Sequence, residues 1–217
     1  ELFVKTTVSE LKKAAYKQTE TEDPFAKEMF EEAEVVPYIQ RFIKEKEELS
    51  GTDRGSAYHK VMELLDFAGL CREKETSQAD FKEKLIRQME EMEQSGKLSK
   101  EWKMAVSVNK IMAFMQSSLA RRMSVAAGGG KLFKEQPFVL GISADRVKDS
   151  FPEDEMVLMQ GIIDVYFEEE DGIVVADYKT DRVSDEKELI MRYRLQLDYY
   201  AEALERLTGI KVKEKII

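Results

Sequence analysis

The chain has 217 residues, 43% of them hydrophobic and 35% charged, with a formal net charge of −9. That is enough for one well-cored domain or two small ones, and no apolar run approaches the roughly 20 residues of a membrane-spanning helix. The one cysteine, Cys71, excludes a disulfide framework within the chain and any all-cysteine cluster. It points to a reducing, cytoplasmic setting. The negative charge argues against non-specific binding of nucleic acid by the whole surface. It leaves room for a local metal site, which needs clustered carboxylates of its own. No signal peptide is visible. The first residue is Glu1 rather than Met, which reads as a piece excised from a longer protein.

In chain order, Thr7-Val8-Ser9-Glu10 fits a capping box opening a helix. Residues Thr19 to Glu32 read as an exposed acidic connection, and Val35 to Leu49 as a helix. Gly51-Thr52-Asp53-Arg54-Gly55 reads as a loop that introduces a helix from Ser56 to Phe67. Length and propensity predict two more helices, Gln78 to Gln94 and Lys100 to Met123. Ala126 to Gly130, "AAGGG", breaks the pattern. It lacks the Lys-Ser/Thr pair of a P-loop, so no nucleotide motor is read here.

After that break the pattern turns to strands, at Leu132 to Leu140 and Val157 to Phe167. Glu170-Asp171-Gly172 signals a hairpin, and Ile173 to Lys179 returns. Asp185 to Leu207 is a long helix closed by Gly209, and Lys211 to Ile217 starts a further strand. One domain is expected over residues 1–217, mostly helical over 1–130, with a sheet and catalytic core over 131–217. The sheet alone has little to cover its faces.

The hairpin carries the chemistry. Side chains alternate along a strand, so Asp177 and Lys179 share a face. A turn at Asp171-Gly172 sets Asp164 opposite Lys179. A turn at Glu170-Asp171 sets it opposite Asp177. Both registers bring Asp164, Asp177 and Lys179 onto one face, with Cβ atoms about 5–8 Å apart. Two carboxylates so placed repel unless they share a cation, and oxygen ligands suit Mg²⁺ or Mn²⁺. The lysine fits a point charge beside a phosphate or an attacking water. The bland alternative is a surface Asp–Lys cross-strand pair. Ile162, Ile163, Val165, Val174 and Val175 weaken it by filling both faces near the acids. His59 is the one histidine; its bland reading is a helix-face residue paired with Glu63. Gln196 and Tyr200 lie on the stripe of Leu189, Tyr193, Leu197, Ala201 and Leu204, where a buried amide needs a partner.

Four motifs occur in order: Gly55-Ser56-Ala57-Tyr58-His59, Gly161-Ile162-Ile163-Asp164, Asp177-Tyr178-Lys179-Thr180-Asp181 and Gln196-Leu197-Asp198-Tyr199-Tyr200. Together the set resembles the PD-(D/E)XK nuclease superfamily, and most closely the RecB-like nuclease domain at the C-terminus of AddA and RecB helicase–nuclease subunits. The resemblance runs over nearly the whole chain, Thr7 to Leu11 included. Glu135 is similar, more loosely, to the acidic residue of the strand before the hairpin.

The resemblance implies a fold of the α/β (α+β) class: a restriction-endonuclease-like mixed central sheet flanked by helices, with a large N-terminal helical portion. It implies His59, Asp164, Asp177 and the Tyr178 carbonyl as ligands of Mg²⁺ or Mn²⁺. Lys179 would act on the attacking water, and Gln196 and Tyr200 would support the site and touch DNA. One cysteine cannot hold the iron–sulfur cluster of some relatives. The implied function is a DNA nuclease, expected to be an exonuclease, of a helicase–nuclease that processes double-strand ends for recombinational repair. Its partners would be DNA, upstream helicase domains of the same chain and the second subunit of an AddAB-type heterodimer, with no membrane. A nuclease-fold module that binds without cutting, and a stand-alone exonuclease, remain as alternatives.

Overall fold

The computed structural model describes residues 5–7, 51–71, 77–147, 151–180 and 186–217. They fall into two compact units. One holds residues 5–7 and Leu132–Ile217, the other residues up to Lys131.

The second unit is helical among its described residues: α1 (Gly51–Leu64), α2 (Phe67–Cys71), α3 (Gln78–Gln94), α4 (Lys100–Ala105), α5 (Val108–Met115) and α6 (Ser118–Gly128). The expected loop at Gly51 to Gly55 is instead the first turn of α1. Glycine costs a helix only about 1 kcal/mol against alanine. Ala57, Tyr58, Val61 and Met62, all buried, supply the packing that offsets it. Helix α3 starts where expected, in a capping box: Asp80 N donates to Ser77 Oγ and Ser77 N to Asp80 Oδ2, both at 3.2 Å. Its Leu85, Met89 and Met92 form the buried stripe.

The single helix expected over Lys100 to Met123 is three. Val106 turns extended, and Ser107 N donates to the Tyr58 hydroxyl at 2.9 Å. Ser117 then caps α6 by accepting from Ala120 N at 3.1 Å. Serine side chains compete for backbone groups and favour caps over helix interiors. That signal outweighed the helical propensity around it.

The first unit is a mixed five-stranded sheet: β1 (Lys5–Thr7), β2 (Leu132–Ser143), β3 (Met156–Glu169), β4 (Gly172–Ala176) and β5 (Val212–Ile216), with α7 (Glu186–Thr208) before β5. Strand β3 is central. Along its length it pairs antiparallel with β2, and on its other side parallel with β1 and antiparallel with β4. Strand β5 adds parallel to β4, and α7 packs on both. The core joins Phe138, Leu140, Ile142, Val157, Met159, Ile163, Ile173 and Val175 of the sheet to Leu197, Tyr200, Ala203 and Leu204 of α7. Mixed sheet plus helix is the α/β class expected. Thr7, the first residue of the expected capping box, is the last residue of β1. The rest of that capping box, the acidic connection and the helix expected over Val35 to Leu49 lie outside the described residues. So do Asp181 and Asp185, the expected first residue of the long helix. No helix among the described residues is long and apolar enough to cross a membrane.

Candidate active site

Of the two registers the sequence allows, the hairpin adopts the one with Glu170 and Asp171 at its turn. Glu169 pairs with Gly172, and Val165 with Ala176. The turn closes tightly on β5. A Cβ on Gly172 would lie 2.7 Å from the Lys211 carbonyl oxygen, and its φ of 146° is one that L side chains rarely adopt. Continuing this ladder sets Asp177 directly opposite Asp164. The β4 ladder itself ends at Ala176, and Asp177 N donates to the Ile216 carbonyl at 3.0 Å. The chain then crosses over Asp164: Tyr178 N donates to Asp164 Oδ2 at 2.8 Å.

Both acids are buried, Asp164 at 8% exposure and Asp177 at 2%. Lys179 Nζ lies 2.9 Å from Asp177 Oδ2 and 4.3 Å from the centroid of the Tyr193 ring, a cation–π contact. From α7, Gln196 Nε2 donates to Asp177 Oδ1 at 3.3 Å and to the Tyr200 hydroxyl at 2.7 Å. The core-facing amide thus has the partners its position demands. Among the described residues, two buried oxygens accept no hydrogen bond: Asp177 Oδ2 and Gln196 Oε1. For Asp177 Oδ2 the Lys179 contact is a charge pair without hydrogen-bond alignment.

Strand β2 adds a third acid. Lys134 pairs with Val165 and Gln136 with Ile163, so Glu135 falls opposite Asp164 yet takes no place in the ladder. Its φ is 49°, alone among described non-glycine residues in being positive. Such a conformation costs of order 1–3 kcal/mol and concentrates at functional sites. Carboxylate oxygens of Glu135 and Asp164 lie within 4.8 Å of each other. The sequence hinted at Glu135 only loosely, because a backbone twist in a strand leaves no residue-level signature.

The PD-(D/E)XK nuclease superfamily model matches residues 35–215. The chain belongs to that superfamily. It is 37% identical, over 84% of its length, to the AddA-type ATP-dependent helicase/nuclease protein of Lachnoclostridium phytofermentans. It is 35% identical, over 97% of its length, to the protein of the same name in Clostridium novyi. The chain spans 15% and 16% of the lengths of these curated relatives.

The sheet and α7 therefore form a restriction-endonuclease-like PD-(D/E)XK core. Burial pushes the Asp177 carboxyl up to about 7; Lys179 opposes the rise and the Asp164 carboxylate adds to it. Burial, then the carboxylates of Asp164 and Glu135, hold the Tyr178 hydroxyl far above the usual tyrosine range. PD-(D/E)XK nucleases use divalent metals, and the residues fit one. Glu135 lies beside Asp164, the Asp164 carboxylate acts on Asp177, one Asp177 oxygen is buried with only the Lys179 charge beside it, and carboxylate oxygens suit a hard cation. His59 stands on α1 in the other unit, half-buried. Glu63, its expected bland partner, takes an ion pair from Lys60 at 2.7 Å.

Proposed function

We propose that this chain is the nuclease module of an ATP-dependent helicase–nuclease that processes double-strand DNA ends for recombinational repair in the cytoplasm. The observation that carries this is the convergence of Asp164, Asp177 and Lys179, with an undonated carboxylate oxygen, at the end of a buried hairpin. A surface Asp–Lys pair has no need of such burial. The names of the relatives support the larger enzyme. On this reading the module works as a DNA exonuclease with Mg²⁺ or Mn²⁺. Upstream helicase domains of the same polypeptide and the second subunit of an AddAB-type heterodimer deliver the strand. The net charge of −9 leaves the module itself little counterion-release drive toward DNA.

Asp164, Asp177 and the Tyr178 carbonyl would hold the cation, with His59 contributed by α1 and Glu135 beside Asp164. A divalent cation there supplies Lewis acidity toward the scissile phosphate and a nucleophilic water at neutral pH. Lys179 orients that water and offsets the charge growing on the phosphorane oxygens. It sits between Asp177 and the Tyr193 ring. Gln196 fixes the Asp177 rotamer through Oδ1, and Tyr200 fixes Gln196. The water oxygen bonds to phosphorus, the ester P–O bond breaks, and the leaving oxygen takes a proton.

The test is Asp177→Ala, assayed on end-labelled linear DNA with Mn²⁺ or Mg²⁺. Cleavage should fall at least about a hundredfold, with the circular dichroism spectrum retained. Nicking at the wild-type rate would overturn the assignment. In parallel, His59→Ala should weaken Mn²⁺ binding and remove the part of its fall below about pH 6.5 that a protonating imidazole adds, leaving the fall due to Asp177, which is raised to about 7. Because the chain has one histidine, an imidazole titration indifferent to saturating metal would remove His59 from the ligand set.

A further inference from the structure

Two strand residues from the acid pair lies an aromatic pair. Phe133 of β2 and Tyr166 of β3 are direct cross-strand partners, as Glu135 and Asp164 are opposed two residues further along β2. The rings stack nearly parallel, 15° apart, with centroids separated by 4.6 Å. Two strand residues span about 6.6–6.8 Å, so the stack stands roughly one nucleotide from the carboxylates.

The two rings differ in what lies behind them. Tyr166 packs against the hydrophobic core. Phe133 is half-buried, sits outside that core, and belongs to a strand whose sole strand neighbour among the described residues is β3. Its ring therefore has Tyr166 on one side and, among the described residues, no further strand on the other. The contrast is Phe138 of β2 with Tyr200 of α7, which meet edge to face at 82° and are both buried. That pair fills a core. The Phe133–Tyr166 pair offers a flat ring at a sheet edge beside a phosphate-cleaving site.

We propose that Phe133 is a base-stacking platform: it holds the base of a nucleotide flanking the scissile phosphate, with Tyr166 as its backing. Stacking of bases on aromatic side chains is tolerant of sequence, because every base has a π-face. It requires a base that has left its own stack, so the platform serves an unpaired strand. Phe133 acts here as a positioning residue, setting the phosphate against Asp164 and Asp177. The proposal rests on the nuclease reading above.

The experiment walks a single abasic site along a short single-stranded oligonucleotide and measures cleavage with Mn²⁺ by wild type, Phe133→Leu and Phe133→Trp. Loss of one stacking contact is worth about tenfold. Phe133→Leu should raise KM about tenfold on the intact strand with kcat within about twofold, and Phe133→Trp should restore it. One abasic position should cost the wild type the same factor and cost Phe133→Leu nothing more. Uniform cost at every abasic position, or wild-type behaviour of Phe133→Leu, would overturn the platform. Should Phe133→Leu not fold, the walk on wild type decides alone, since one position must stand out. Should the wild type cut nothing, the nuclease reading fails separately. Fluorescence anisotropy with the same oligonucleotides then still reads the stacking contact.

Discussion

The sheet carries two lysine–carboxylate groupings, at opposite ends of β4, and they behave differently. At the turn end, Lys213 of β5 lies 2.5 Å from Glu169 and also bridges Asp171, whose side chain is 74% exposed. At the other end, Lys179 meets Asp177, whose side chain is 1% exposed. The first is a solvated surface pair that water would satisfy equally well, and such pairs contribute little. The second removes two charges from water and still leaves one carboxylate oxygen without a donor. Stability alone does not select that arrangement, because burying a charge is costly unless it is fully paired. Similar residue types around one sheet thus separate into ordinary surface electrostatics and a site held ready for something absent from the chain.

The largest effect that sharpens this contrast should come from Gln196→Leu. It removes the donor to Asp177 Oδ1 and the link to Tyr200. Cleavage should fall about 10- to 100-fold, as for other residues that orient metal ligands. The thermal midpoint should fall modestly, because Asp177 Oδ1 and the Tyr200 hydroxyl lose a donor while the undonated Gln196 Oε1 is removed as well. A large loss of stability with unchanged cleavage would make Gln196 a packing residue.

A smaller effect is a difference in sign with pH. Asp177 is raised from its ordinary 3.8 to about 7, so in metal-free protein the folded state binds its proton more tightly than the unfolded state. Its contribution to stability is full below about pH 4 and is lost as pH rises toward 7. Asp171 is lowered, first by its hydrogen bond from Lys213. Its contribution is present above its ordinary pKa and is lost as pH falls. Denaturant melts across this range should show the Asp177 slope disappear in Asp177→Asn. A slope that survives the substitution would assign it to another group. The smallest effect should be that of Lys213→Ala: a slight drop in thermal midpoint at low salt that vanishes in 1 M salt, where the Debye length is about 3 Å. A salt-independent loss would mean the surface pair is better shielded than its exposure indicates.

What could be read from sequence was what local chemistry enforces. The β3–β4 hairpin, its acids and the stripe of α7 follow from period-two and period-four patterns that burial makes obligatory. The boundaries of α3 were legible because Ser77 and Asp80 form a reciprocal cap. Less legible was the division of 100–123 into three helices, since Val106 turns extended and Ser117 caps only where packing brings the chain round. The hairpin register was left open because both turns place the acids on one face. Deciding between them took the close approach of Gly172 to β5, a long-range contact. Glu135 was the hardest to find, because its φ of 49° is imposed by neighbours rather than by its own residue type.

The register at Glu169 and Gly172 has a consequence for how this hairpin can vary. The two acids cooperate only if they emerge on the same side of the sheet, and each added residue in a strand turns every later side chain over. Insertions or deletions between Asp164 and Asp177 are therefore tolerated in pairs and not singly. A relative with a longer β3–β4 arm can keep its chemistry if the interval grows by two or four residues. A change of one residue would leave a folded hairpin with its second acid and its lysine facing away from the first, unless a bulge restored the phase. Parity of spacing, more than the motif letters themselves, should then separate cutting members of such a lineage from those that have only kept the fold.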